Sequence, residues 1–252
     1  MAARLQLVVP CHNEAGNLRA LVDELHRTLA PLAISYEIIV TDDASTDDSW
    51  DVLKDLAGGD EHLRLQRFAA NCGESAASWA GMQSARGRTI VTIDADLQND
   101  PADIPRLLAR LRDVDCVCGS RLQSRAEGDG LVRRVSSRVA NWVRMRLSAD
   151  GTTDAGCTYR AFRRECIANV HFFKGMHRFL PTLIRMEGFT VGEIPVANRP
   201  RTSGRSHYGI GNRAFASLAD LLAVRWMKSR SVAYRIEELF EPALDPARGD
   251  HP

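Results

Sequence analysis

Short apolar runs alternate with longer segments of helical periodicity along the first half of the chain. Runs typical of buried strands lie at 5–9, 36–41, 63–68, 89–93 and 114–117. Between them, apolar residues recur every three or four positions over 18–29, 46–56 and 101–111, which predicts helices there, and the alanine-rich segment at 74–85 predicts another. This alternation over residues 1 to about 120 is typical of an α/β protein with a mostly parallel, doubly wound sheet.

Polar clusters follow four of the predicted strands at the point where each strand ends. These clusters lie at 10–14, 42–43, 94–98 and 119–121. Because ligands of open α/β sheets bind beyond the carboxyl ends of the strands, we expect the clusters to meet at one edge. The sequence therefore predicts an active site at this edge of the sheet.

The composition narrows the class of protein. The 252 residues suit one globular domain, or one domain with a small appendage. A net charge of +1 argues against a dedicated nucleic-acid binder. The six cysteines form no CxxC pair and no zinc spacing, so we interpret them as reduced, buried thiols.

The sequence shows no signal peptide and no apolar stretch of about 18 residues. We expect a cytoplasmic protein, with peripheral attachment to the cytoplasmic face of the membrane left open.

Acidic and basic residues are unevenly distributed along the chain. Residues 121–164 contain ten arginines against four acidic residues, and residues 199–235 contain eight lysines and arginines against one aspartate. The predicted strand ends of the first half supply carboxylates, and the second half supplies cations. This distribution is typical of a site that holds a metal ion and several phosphates, although a solvated basic face is the alternative.

Asp94 and Asp96 directly follow the apolar strand at 89–93. Two carboxylates two residues apart at a strand end can share a hard divalent cation, which completes its shell with phosphate oxygens. Such an ion would neutralise a departing diphosphate. The alternative is an ordinary surface turn.

The strand ends at 42–43 and 10–14 offer further candidates. Of Asp42 and Asp43, we expect one to face the ligand and one to cap the helix that begins near Thr46, with Asp42 as the ligand-facing residue. Glu14 either binds a nucleotide or lies in the first turn of the following helix, where a negative charge is favourable.

The motifs at 9–14, 41–47 and 94–98 resemble, in order and spacing, those of the family 2 glycosyltransferases of the GT-A fold. Later segments are similar to the dolichol- or polyprenyl-phosphate sugar transferases, at 119–121, 133–141, 154–157, 160–164 and 199–209. The resemblance covers residues 5 to about 230. It implies a Rossmann-like, mostly parallel sheet flanked by helices, with a helical C-terminal extension.

The resemblance also implies roles for individual residues. The nucleoside of a GDP- or UDP-sugar donor would be held by Pro10, Glu14 and Asp42. A magnesium or manganese ion on its diphosphate would be surrounded by Asp94, Asp96 and Gln98. The donor phosphates would be contacted by Arg121 and Arg133, and the acceptor phosphate by Ser137 and Arg201. Two features depart from the family pattern: His12 replaces a common tyrosine, and this sequence shows none of the membrane helices that many bacterial relatives carry after the catalytic domain.

The nature of the acceptor decides what catalysis requires. Family 2 enzymes invert the anomeric carbon by a single displacement, for which a hydroxyl acceptor needs a general base, and Asp154 is the candidate. A phosphate acceptor is already anionic and needs only positioning and charge neutralisation. The arginine excess favours phosphate, and Asp154 would then be a cap or the partner of an arginine. We expect the residues that act in catalysis to be Asp96, Arg121 and Asp154.

Three functions remain open. The leading hypothesis is transfer of a sugar from a nucleotide-sugar to a polyprenyl phosphate, either undecaprenyl or dolichyl phosphate. The second keeps the donor but transfers to a hydroxyl of a saccharide or protein in cell-envelope glycan synthesis. The third is a catalytically silent nucleotide-sugar binder, against which the intact Asp94 and Asp96 pair and Arg121 argue.

The predicted organisation has three parts. Residues 1–210 form the catalytic domain, with a nucleotide-binding half at 1–120 and an acceptor half at 121–210. An amphipathic helix follows at 211–235, and a disordered tail at 236–252. The helix carries one apolar stripe, made of Phe215, Leu218, Ala219, Leu222 and Trp226, and a cationic cluster at its end, made of Arg225, Lys228 and Arg230. This stripe either binds an anionic leaflet, directly or beside a membrane partner protein, or packs on the catalytic domain.

Overall fold

The computed structural model describes residues 4–121, 153–154, 156–200, 210–232 and 237, with residues 210–218 described by their backbone alone. Its seven strands form one sheet in the order β3-β2-β1-β4-β6-β5-β7. The strands are β1 (Leu5–Cys11), β2 (Tyr36–Asp42), β3 (Leu63–Arg67), β4 (Thr89–Thr92), β5 (Cys116–Ser120), β6 (Arg160–Arg163) and β7 (Val191–Pro195). Only β6 runs antiparallel to its neighbours, so the predicted mostly parallel α/β sheet is confirmed.

Helices cover both faces of this sheet. They are α1 (Ala15–Leu29), α2 (Ser49–Ala57), α3 (Glu74–Ser84), α4 (Ile104–Arg110), α5 (Leu180–Met186) and α6 (Ile210–Arg230). One core lies between the sheet and α1, α2 and α4, and the other lies between the sheet and α3, α5 and α6. Successive strand residues serve opposite cores, as Leu7 and Val8 do, because side chains alternate across a strand.

The helix starts show where local signals decide the structure. Asp100 accepts a hydrogen bond from the Ala102 amide, with Pro101 in the first position, as the sequence predicts. By contrast, α2 begins at Ser49, three residues later than predicted. The turn before it is tied to Asn13, whose side-chain oxygen accepts a hydrogen bond from the Thr46 amide at 2.8 Å. The start of α2 is still capped locally, because the Asp47 carboxylate accepts a hydrogen bond from the Ser49 amide at 2.9 Å.

Two strands have no clear sequence signal. β6 has the sequence Arg-Ala-Phe-Arg and β7 is only partly buried, so neither shows an apolar run. Both belong to the same sheet as the five predicted strands. Residues beyond 121 therefore contribute directly to the framework that carries the first half of the chain.

The C-terminal helix α6 packs on the sheet through a stripe other than the predicted one. Leu221 and Val224 are buried against the core on that side, whereas Ala219, Leu222 and Trp226 are exposed. For these three residues, the alternative that the stripe packs on the catalytic domain is wrong. The side chains of Phe215 and Leu218, and the predicted tail at 236–252 apart from residue 237, lie outside the described residues. No helix in the described part of the chain has both the length and the apolar character needed to cross a bilayer.

Candidate active site

The predicted polar clusters meet at one edge of the sheet. β1, β2, β4 and β5 all end there, since they run parallel to one another. The antiparallel strand β6 begins at the same edge, because Thr92 and Cys118 both pair with Arg160. Residues just before β6 therefore lie beside the residues that follow β4 and β5.

Three residues at this edge have left-handed backbone conformations without being glycine. Asn13, Ala44 and Leu97 have φ angles of 57°, 52° and 60°. They follow β1, β2 and β4, respectively. Each such conformation costs on the order of 1–3 kcal/mol and is typical of functional sites, where the surrounding structure holds it in place.

Asp94 and Asp96 form the acidic centre of the edge. The Asp94 carboxylate accepts a hydrogen bond from the Thr158 hydroxyl at 2.6 Å, and Asp96 accepts one from the Gln98 amide at 3.1 Å. Burial raises the pKa of Asp94, and the nearby Asp96 carboxylate acts in the same direction. The hydrogen bond from Thr158 and the charge of Arg121 oppose this rise in the pKa.

This centre fits a hard divalent cation. Carboxylate oxygens are the ligands that magnesium and manganese prefer, and a cation between two carboxylates would relieve their mutual repulsion. Among the described residues, no group of three or more histidine, cysteine, aspartate or glutamate side chains surrounds a possible metal position. A cation held by Asp94 and Asp96 would therefore need further oxygen ligands, such as those of a bound diphosphate.

Arg121 and Asp154 form a buried ion pair beside this centre. One Asp154 carboxylate oxygen accepts hydrogen bonds from the Arg121 amide and Nε, both at 3.1 Å. The other carboxylate oxygen lies 3.4 Å from Nη2 of the same guanidinium. The two side chains are only 8% and 6% exposed. Both oxygens of the candidate general base are thus engaged by an arginine.

Glu193 on β7 is a residue that the sequence analysis missed. Its carboxylate accepts hydrogen bonds from the Thr153 amide at 2.9 and 3.0 Å and from the Thr153 hydroxyl at 3.0 Å. It also lies 3.4 Å from the Asp154 amide. The distance of about 40 residues along the chain leaves no local signal for this contact. Glu193 fixes the backbone that carries Asp154.

Asp42 and Asp43 are both buried, with different partners. Asp42 accepts a hydrogen bond from the Ser45 amide at 3.2 Å and forms an ion pair with Arg67 at 3.0 Å. Asp43 accepts hydrogen bonds from the Cys72 and Gly73 amides at 2.6 and 2.8 Å. Asp43 therefore holds the loop before α3, and the prediction that it caps the helix near residue 46 is wrong.

The residues that follow β1 contact residues that follow β2 and β3. The His12 ring lies 2.9 Å from the Asp43 carbonyl oxygen and 3.3 Å from the Asn71 side chain. Glu14 occupies the N-cap position of α1, and its carboxylate accepts a hydrogen bond from Asn17 at 2.6 Å. The structure thus places Glu14 at the start of the helix and at the candidate site at once. Pro10 lies in β1, next to Thr41 of β2.

Five of the six cysteines are buried, which makes their thiols unreactive. Burial raises the pKa of Cys11 to about 12 and that of Cys157 to about 11, so both thiols stay protonated. Cys72 is exposed, which corrects the prediction that all six are buried.

Three predicted site residues lie outside the described part of the chain, namely Arg133, Ser137 and Arg201. Arg199, two residues before Arg201, is described. It pairs with Glu24 of α1 at 2.7 Å and with Asp100, which precedes α4, at 2.8 Å. These two ion pairs fix the start of the segment that follows β7.

The site thus combines an acidic pair and a buried arginine at the carboxyl edge of an α/β sheet. Residues 6–170 match the sequence profile of glycosyl transferase family 2, and the chain belongs to this family. The resemblance inferred from the motifs is thereby confirmed.

Two relatives of similar sequence are named as enzymes that attach a sugar to a polyprenyl phosphate. The chain is 35% identical over 226 residues to a dodecaprenyl-phosphate galacturonate synthase of Rhizobium johnstonii, covering 87% of this chain and 66% of the relative. It is 33% identical over 208 residues to an undecaprenyl-phosphate 4-deoxy-4-formamido-L-arabinose transferase of Yersinia pestis, covering 82% and 63%. The chain thus spans less than two thirds of the length of either relative.

The fold is shared with solved glycosyltransferases. Glucosyl-3-phosphoglycerate synthase from Mycobacterium tuberculosis, in complex with Mn²⁺, UDP and glucosyl-3-phosphoglycerate, superposes with a TM-score of 0.64 at 19% identity. The match covers 90% of this chain and 80% of that protein. This likeness confirms the predicted GT-A fold.

Proposed function

We propose that this protein is an inverting glycosyltransferase that moves a sugar from a nucleotide-sugar to a polyprenyl phosphate. The observation that carries the proposal is the acidic pair Asp94 and Asp96 beside the buried Arg121, all at the carboxyl edge of a family 2 sheet. The names of both relatives, each with a polyprenyl-phosphate in it, support this choice of acceptor.

The donor side would be formed by the ends of β1 and β2, which are adjacent in the sheet. We assign the nucleoside of a GDP- or UDP-sugar to Pro10, Glu14 and Asp42. The Asp42 carboxylate is fully buried and paired with Arg67, so its part would be to hold Arg67 and the 42–45 turn in the shape that the nucleoside requires.

The diphosphate side would be formed by Asp94, Asp96 and Gln98. A magnesium or manganese ion held there supplies positive charge that stabilises the departing diphosphate. The glucosyl-3-phosphoglycerate synthase that shares this fold was solved in complex with Mn²⁺ and UDP, which supports this assignment. Arg121 would add a fixed positive charge on the same side, and Arg133 is proposed as a second phosphate contact.

The acceptor side needs no proton abstraction if the acceptor is a phosphate. The oxyanion is already the nucleophile, and the protein needs to orient it and to offset its charge. The engagement of both Asp154 oxygens by Arg121 supports a positioning role for Asp154 rather than that of a general base. Ser137 and Arg201 are proposed to contact the acceptor phosphate.

A donor and acceptor screen tests this function. Radiolabelled GDP- and UDP-sugars are incubated with undecaprenyl phosphate or with saccharide acceptors, with and without EDTA. We expect label in the lipid fraction only with the phosphate acceptor and only without EDTA. We also expect Arg201→Ala to raise the acceptor KM more than the donor KM. Transfer to a saccharide alone, or no transfer from any donor, would overturn the proposal.

Substitution of Glu193 tests the positioning of Asp154. Glu193→Ala removes the acceptor of the Thr153 donors, so we expect kcat to fall about tenfold, with a smaller change in the donor KM. Glu193→Gln keeps one carbonyl oxygen and is expected to retain most of the activity. Glu187, which lies just after α5, serves as a control through Glu187→Ala. Equal activity of Glu193→Ala and the control would rule out the positioning role.

A further inference from the structure

Helix α6 has an inner and an outer side of clearly different surroundings. On the inner side, Leu221 and Val224 are 6% and 0% exposed and belong to the core that also contains Met176 and Phe179. Met227 packs partly against the same core. The outer side is therefore not needed to hold the helix on the sheet.

Exposed large apolar side chains are concentrated on this outer side and just after the end of the helix. Among the described residues, four large apolar side chains are exposed, and three of them lie between residues 222 and 232. Leu222 is 53%, Trp226 65% and Val232 78% exposed. Leu222 and Trp226 are one helical turn apart and so project from the same side. Such a cluster is unusual for a surface that meets only water.

Cations flank these apolar groups. Arg225, Lys228 and Arg230 are exposed, and the sequence from 221 to 232 contains no acidic residue. Arg225 lies one turn after Leu222, and Arg230 lies one turn after Trp226. We call the set made of Leu222, Arg225, Trp226 and Arg230 the outer face of α6. Lys228, one turn after the buried Val224, and Val232, just after the helix, are exposed beside this face.

We propose that the outer face of α6 docks on an anionic phospholipid leaflet. A tryptophan is well suited to the boundary between headgroups and acyl chains, because its ring is apolar and its N–H is polar. Each lysine or arginine near an anionic leaflet strengthens binding by attraction to the lipid headgroups. The docking rests on the proposed function only in that a polyprenyl phosphate would lie in such a leaflet.

A second copy of the chain fits this face less well. In a symmetric dimer, the same patch of both copies forms the interface. Arg225 and Arg230 of one copy would then lie close to the same residues of the other copy. Like charges facing each other weaken association. An anionic leaflet offers both the apolar layer and the negative charge that the face lacks.

Vesicle flotation tests the docking. The full chain is mixed with vesicles of phosphatidylcholine alone or of equal parts phosphatidylcholine and phosphatidylglycerol, both without polyprenyl phosphate. We expect flotation only with the anionic vesicles, and release at high salt because salt screens exposed charges. The triple variant Arg225→Gln, Lys228→Gln, Arg230→Gln is expected to bind about 100-fold more weakly, since each cation contributes about a factor of five. Its Tm is expected to stay close to that of the wild type.

A charge-matched control uses the opposite side of the sheet. Arg19, Arg27 and Lys54 are exposed on α1 and α2, and their combined replacement by glutamine removes the same charge. We expect this control to float as the wild type does. In detergent, where no leaflet is needed, the α6 triple variant should keep wild-type transferase activity.

Three outcomes would overturn the docking: no flotation of the wild type with anionic vesicles, equal flotation of the α6 triple variant, or equal loss in the charge-matched control. Flotation that appears only after polyprenyl phosphate is added would also overturn it, because binding would then run through the active site. That last result would leave the proposed transferase function intact, so the two proposals fail separately.

Discussion

Asp96→Asn is expected to lower the rate of sugar transfer at least 100-fold, about 2.7 kcal/mol of transition-state stabilisation. The substitution removes one of the two carboxylate charges that are proposed to hold a metal ion on the donor diphosphate. The asparagine oxygen can still accept the hydrogen bond from the Gln98 amide, so the turn after β4 should keep its shape. We expect the Tm to stay constant or rise slightly, because Asp94 loses a neighbour of like charge.

The measurement combines kcat, Tm and a titration with Mn²⁺. Asp113 is exposed and pairs with Arg110, so Asp113→Asn serves as a control for the removal of one negative charge. The control should keep wild-type activity and Mn²⁺ affinity. If folded Asp96→Asn kept more than about a tenth of the wild-type kcat, a difference of less than 1.4 kcal/mol, Asp96 would not be a metal ligand.

Asp154→Ala is expected to destabilise the protein by about 3–5 kcal/mol, because it leaves the buried Arg121 without its carboxylate partner. For a chain of this size, that corresponds to a fall in Tm of roughly 6–20 °C. Differential scanning calorimetry measures the effect. The double variant Arg121→Met, Asp154→Leu should recover much of the stability, because well-packed apolar side chains can replace a buried ion pair. It should nevertheless lack transferase activity.

The conservative variant Asp154→Asn separates the two roles of this residue. Assayed well below its Tm with a phosphate acceptor, it should lose less than about tenfold in kcat, since no proton has to be removed. A loss of several orders of magnitude in a folded Asp154→Asn would instead indicate a hydroxyl acceptor and a true general base.

The sequence predicts the part of the fold that depends on local periodicity. The first five strands and the four helices between them follow from apolar spacing, and the parallel arrangement brings their polar ends to one edge. β6 escapes prediction because its stability comes from distant partners. Arg160, for example, is buried and donates a hydrogen bond to the carbonyl of His177. No pattern within four residues of Arg-Ala-Phe-Arg records that contact.

The site residues divide in the same way. Asp94, Asp96 and Arg121 are visible from their position after apolar strands. Glu193 and Thr158 are not, because each acts on a residue far away in sequence. Helix α6 shows a second limit of prediction from the sequence. Its sequence carries two apolar stripes, and helical periodicity alone does not say which one faces the core.

The reversed direction of β6 brings the two ends of the insert between β5 and β6 to the same edge of the sheet. The chain leaves the sheet at Arg121 and returns to it at Arg160, at the same edge. The Arg121 and Asp154 ion pair closes the insert at its base. Doubling the length of such a loop costs only about 0.6 kcal/mol in closure entropy. Changes in chain length between Arg121 and Asp154 therefore cost little and leave the order of the seven strands unchanged.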